Sequence, residues 1–113
     1  MTVAVIDRNE VVLRGRLVAP PEVRESPAGE PVLNFRLKVR RGDPQSRGRA
    51  ADDLTCVAYD RALQRRIGGW ATDDVVEVEG ALQRRFWRTS TGVASVVEVS
   101  CRRVRKVTRS AGS

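Results

Sequence analysis

Histidine is absent from this chain. That removes the commonest general base and a frequent metal ligand together. Cysteine is scarce: Cys56 and Cys101 stand far apart with no metal-ligand spacing, and each sits in an apolar, strand-like run. They are expected to be buried free thiols. No glycine-rich phosphate cradle appears. The acidic pairs Asp52-Asp53 and Asp73-Asp74 read as loop and strand-entry residues rather than metal ligands. The expectation is a protein with no catalytic residue, no metal and no cofactor. No apolar run approaches membrane-spanning length, and residues 1–7 are too short for a signal-peptide core, so a cytoplasmic, nucleoid-associated location without membrane contact is expected. Aromatic residues make up only 4% of the chain.

What is abundant is positive charge. Lys+Arg number 21 against 14 Asp+Glu, a formal charge of +7. Only Lys38 and Lys106 are lysines; every other basic residue is arginine. A guanidinium offers a planar fork that both chelates phosphate and stacks on bases. A surface of this kind attracts polyanions, because each bound cation releases a counterion from a phosphate backbone.

The 113 residues suffice for one domain with one core. Residues 11–18 alternate: Val11, Leu13, Gly15 and Leu17 on one face, Val12, Arg14, Arg16 and Val18 on the other, which predicts a half-buried strand. Pro20-Pro21 interrupts it, Glu22-Val23-Arg24 resumes an extended path, and residues 26–29 signal a turn. The second strand is the clearest, with Leu33, Phe35, Leu37 and Val39 inward and Asn34, Arg36, Lys38 and Arg40 outward. Residues 41–52 lack periodicity and read as a long mobile loop carrying Arg41, Arg47 and Arg49. A third strand spans 54–59. Asp60 caps a short helix presenting Leu63, Ile67 and Trp70 to one side, and Gly68-Gly69 ends it. The fourth strand places Val76, Val78, Gly80 and Leu82 against Glu77, Glu79, Ala81, Gln83, Arg85 and Trp87. After a turn at 89–92, a fifth strand runs over 94–103, with Val97, Val99 and Cys101 on one face. Five strands with one short helix between the third and fourth predict an all-β, five-stranded OB-fold Greek-key barrel. Its expected extent is 1–106, with 107–113 as a short, flexible, basic and polar tail.

Several stretches carry a family resemblance. Residues 9–24, with Gly15, Leu17 and the Pro21-Glu22-Val23-Arg24 turn, look like the opening of bacterial single-stranded DNA-binding proteins. Asn34-Phe35-Arg36-Leu37 is similar to the second family strand. Cys56-Val57-Ala58-Tyr59-Asp60 falls at its third strand and helix start. Gly80, Leu82, Arg85 and Trp87 match the pattern that ends its fourth strand. The resemblance covers about residues 9–104. It implies an OB fold, a homo-oligomer, dimer or tetramer, and binding of single-stranded DNA without catalysis. Two departures stand out. The chain ends in Arg102 to Ser113 without the acidic tip with which family members recruit replication enzymes, as expected of a short, tailless paralogue. Aromatics are also fewer than the family commonly stacks on bases.

Capture of a single strand without regard to sequence needs a cationic track for phosphates and flat platforms for bases. The candidate track is Arg14 and Arg16 on strand one, Arg36, Lys38 and Arg40 on strand two, Arg41, Arg47 and Arg49 on the loop, and Arg84, Arg85 and Arg88 near the end of strand four. Trp87 is the leading platform, with Arg85 on its own face and Arg84 and Arg88 beside it. Tyr59 is a second candidate. Phe86 is expected to pack in the core or hairpin, and Phe35 and Trp70 in the core. The expectation is one common groove lined by guanidinium groups and an uncovered indole. Two other readings stay open: an RNA-binding or primosome-type OB protein, and an oligomeric assembly module that binds no nucleic acid. The first would favour RNA over DNA in competition; the second would bury Trp87.

Overall fold

The computed structural model describes residues 4–42 and 50–108. The expected alternation produces six strands and one helix: β1 (Val11–Leu17), β2 (Glu22–Glu25), β3 (Pro31–Arg40), β4 (Ala51–Ala58), α1 (Arg61–Ile67), β5 (Val75–Thr89) and β6 (Gly92–Thr108). The sheet order is β1-β5-β6-β4-β3-β2, and a further β1–β3 pairing joins its ends. Five strands thus close a barrel, with the four-residue β2 attached to β3 outside the ring. That extra strand is the extended path after the two prolines. All pairings are antiparallel except β4–β6, where Cys56 meets Val99 in parallel register. The helix lies between the third and fourth barrel strands, as expected.

Period two decides what is inside. Leu33, Phe35 and Leu37 of β3 and Val76 and Val78 of β5 are buried in one core. Ile67 and Trp70 enter it from the helix end, Trp70 meeting Phe35 edge-on at 5.5 Å between ring centroids. The helix is short, so its ends matter. The Asp60 carboxylate accepts from the Leu63 amide at 3.1 Å, satisfying an otherwise orphaned donor. The Gln64 amide donates to the carbonyls of Pro31 and Ala58, pinning the helix to β3 and β4. The helix ends at Ile67 with Gly68 as its C-terminal cap, so Trp70 reaches the core from the following turn.

Both cysteines are buried and free. The hydrogen bond to Cys101 and burial hold the Cys56 thiol far above its usual range, so it stays protonated and inert.

β5 and β6 are longer than the barrel. β5 pairs with β1 from Val75 to Gly80. Beyond that the two strands pair with each other up to Thr89 and Gly92, forming a projecting ribbon. The Asn9 side-chain amide closes the seam where β1 stops, accepting from the Leu82 amide at 2.9 Å and donating to its carbonyl at 2.7 Å. This ribbon corrects one expectation. Phe86 is 63% exposed rather than packed, because no barrel layer lies beneath it. Leu82 and Val97, on the same face, are exposed for the same reason. β6 continues through Thr108, and residues 109–113 of the expected tail lie outside the described residues.

Candidate nucleic-acid interface

The outward faces of β1 and β3 meet where the barrel closes. Arg16 lies directly opposite Lys38 there. Arg14, Arg16, Lys38, Arg40 and Arg41 line one groove of about 860 Å³. Like charges directly across a strand pair are destabilising. Among the described residues, the hydrogen-bond partner of the Arg16 guanidinium is the Asp73 carbonyl, at 3.4 Å. Among the described residues Arg16, Lys38 and Arg40 join no ion pair. The other two groove arginines have carboxylate partners. Arg41 meets Asp52 in a two-pronged contact at 2.9 and 2.8 Å, and Arg14 meets Glu77 at 2.9 Å.

Glu77 restrains the groove. It takes Arg14 on one oxygen and Arg105 on the other. The hydrogen bond from Arg14, with added attraction from both arginines, keeps its carboxyl below the ordinary carboxylate range. A depressed folded-state pKa gives stability that is present above about pH 4.3 and lost as pH falls through the lower folded value. Glu77→Gln should therefore flatten the acid side of the stability profile. It should also free Arg14, tightening oligonucleotide binding at low salt by up to about fivefold, the scale of an exposed pair. Urea midpoints across pH and low-salt binding isotherms check both; weaker binding by this variant would contradict the restraining role.

Arg36 lies next to the groove, lining a smaller hollow with Asn34 and Thr55. Arg47 and Arg49 lie outside the described residues. The ribbon carries the remaining candidates. Trp87 is 42% exposed, and the Arg85 guanidinium lies 4.9 Å from its ring centroid. Tyr59, also exposed, reaches the ribbon's base, where its hydroxyl accepts from Gln83 at 2.6 Å. Strand alternation puts Arg84 and Arg88 on the opposite face of the ribbon from Trp87. There Arg84 donates to Ser95 at 3.1 Å. The groove and the indole are also separate places: Val75 lines the groove, and Trp87 lies roughly 40 Å further along β5 at about 3.3 Å per residue. One strand connects two sites where the sequence suggested a single groove.

The basic run of β6 is largely occupied internally. Arg103 faces Glu79, Arg105 faces Glu77, and Lys106 reaches Asp74 at 3.2 Å. Sequence reasoning missed Glu98. Period two puts it on the face of β6 away from Val97 and Val99, yet it is only 2% exposed. Its neighbours on other strands bury it, and no local pattern signals that.

A family model described as the single-strand binding protein family matches residues 8–107. The chain belongs to that family. The family member called single-stranded DNA-binding protein 1 of Staphylococcus aureus (strain COL) is 36% identical over 95 residues, covering 82% of this chain and 57% of the relative. Single-stranded DNA-binding protein A of Bacillus subtilis (strain 168) is 36% identical over 85 residues, 74% of this chain and 49% of the relative. The chain thus spans about half the length of these relatives. A solved structure described as a Plasmodium falciparum SSB complex with ssDNA superposes with a TM-score of 0.70 at 22% identity, covering 94% of this chain and 98% of that one. The family's barrel is therefore the OB fold expected from the strand order.

Proposed function

We propose that this chain binds single-stranded DNA largely without regard to sequence, as a non-enzymatic member of its family. Phosphates run through the Arg14–Arg41 groove, and bases stack on Trp87 and Tyr59. The observation that carries this reading is the Arg16–Lys38 juxtaposition: a barrel seam holds two cations opposite each other and adds Arg40 alongside. An incoming polyanion offsets that repulsion. The names of the curated relatives support the ligand. Trp87 supports single strands over duplex, because a flat platform needs an unpaired base.

The test is oligo(dT) titration at several salt concentrations. Each cation contacting a single-stranded phosphate contributes about −0.7 to the slope of log K against log salt, so Arg16, Lys38 and Arg40 alone give about −2. A slope shallower than about −1 would remove the groove from the binding site. RNA competing on equal terms would replace DNA by single strands in general. In this reading the chain assembles as a homo-oligomer, dimer or tetramer. Leu82, Phe86, Val93 and Val97 support it: they are exposed together on the ribbon face that also carries Arg84 and Arg88, and exposed apolar groups rimmed by polar ones mark contact surfaces. A nucleoid-associated, cytoplasmic location belongs to the same reading.

A further inference from the structure

We propose that Glu98 is a positioning residue that presets the stacking platform of the ribbon. This rests on the reading above, that Trp87 stacks on bases. Glu98 is the one buried acid on β6, and a single oxygen does all its visible work. Oε1 accepts from Arg85 Nε at 3.2 Å and from Gln83 Nε2 at 3.3 Å. Oε2 is buried without a hydrogen-bond partner among the described residues. Burying a carboxylate is costly, and leaving one of its oxygens without a donor adds to that cost. Replacing a buried ion pair by apolar side chains is often neutral or stabilising, so packing alone does not call for a carboxylate here.

The two donors explain the placement. Arg85 continues to the Trp87 ring, 4.9 Å away. Gln83 continues to the Tyr59 hydroxyl at 2.6 Å. From one anchor, then, two arms lead to the two exposed aromatic rings on this face of the ribbon. Arg85 is the more exposed partner, at 38% against 1% for the Glu98 side chain. A guanidinium fixed beside an indole meets a phosphate and a base at a set spacing. Ordering it before the strand arrives removes part of the entropy cost of binding.

Glu98→Gln keeps size and an acceptor oxygen but removes the charge that holds Arg85. It should weaken oligo(dT) binding about tenfold, within the range of coupling between contacting residues. In an Arg85→Ala background the same change should cost almost nothing. A purely structural role would give the same loss in both backgrounds together with a lower Tm. Arg85→Lys, on the exposed ribbon, keeps charge but loses the Nε–H and should reproduce the Glu98→Gln loss. Affinity of Glu98→Gln equal to that of the unaltered protein, an equal loss with and without Arg85, or full binding by Arg85→Lys would each overturn the positioning role while leaving DNA binding intact. If the unaltered protein fails to bind oligo(dT), the functional reading falls and takes this role with it.

Discussion

Trp87→Ala is expected to weaken oligo(dT) binding by roughly 5- to 150-fold, the equivalent of one stacked base, and to abolish most of the fluorescence change on titration. The two tryptophans make the readout clean. Trp70 is 6% exposed and packed edge-on against Phe35, so DNA has no access to it. Trp87 stands on a ribbon with no core beneath, so its removal should leave the barrel's unfolding free energy within about 0.5 kcal/mol of the original. Trp87→Phe retains a π face and should recover much of the lost affinity. The opposite pattern, with a large loss of stability and unchanged affinity, would make the indole an assembly contact and not a base platform.

The barrel was legible because its strands have one wet face and one dry face. In β3 the alternation of Leu33, Phe35 and Leu37 with Asn34, Arg36 and Lys38 names the core face and the outer face, with Val32 buried on the outer one. The helix was legible because Asp60 has few local roles other than a cap. The ribbon was only faintly legible, because Leu82 and Phe86 continue the apolar parity of Val76 and Val78 while Arg84 and Arg88 interrupt it. Phe86 looks like Val78 in sequence, and only the end of β1 near Val11 separates a buried position from an exposed one. The groove was half legible. Period two put Arg14 and Arg16 on one face, and Lys38 and Arg40 on another, but their meeting depends on β1 pairing with β3 across more than twenty intervening residues. Which arginines are already taken is equally non-local. Glu77 holds Arg14 and Arg105 from different strands, and Glu98 draws its two donors from β5. Charge counts say how many cations the chain has. The fold says which of them face a ligand without a carboxylate attached.

The largest stability effect is expected at Gly80, the glycine of the family pattern that lies where β6 backbone comes close to β5. β5 and β6 shift register between Glu79 and Gly80: Glu79 pairs with Arg103 but Gly80 with Cys101, so Arg102 is left over in a bulge. The bulge presses the β6 backbone onto Gly80. A methyl group there would stand 1.9 Å from the Ser100 carbonyl oxygen and 2.8 Å from its carbon. These are backbone atoms held in the ladder, so no side-chain rotation relieves the clash. The Gly80 carbonyl also accepts from Arg102 at 3.3 Å, tying the bulged residue to the same spot. Gly80→Ala must therefore either open the bulge or part the strands, and should cost about 3 kcal/mol or more, above the usual range for an added methylene. Because a domain of this kind has only about 5–15 kcal/mol in hand, the fall in the urea midpoint should be unmistakable. Gly69→Ala is the matched control: a methyl group there meets nothing within 4 Å. It should change stability by less than about 1 kcal/mol, through the unfolded chain alone. A normal midpoint for Gly80→Ala would mean that the β5–β6 crossing is looser than the fold requires. The ribbon would then lose the rigid root on which a preset Arg85–Trp87 platform depends.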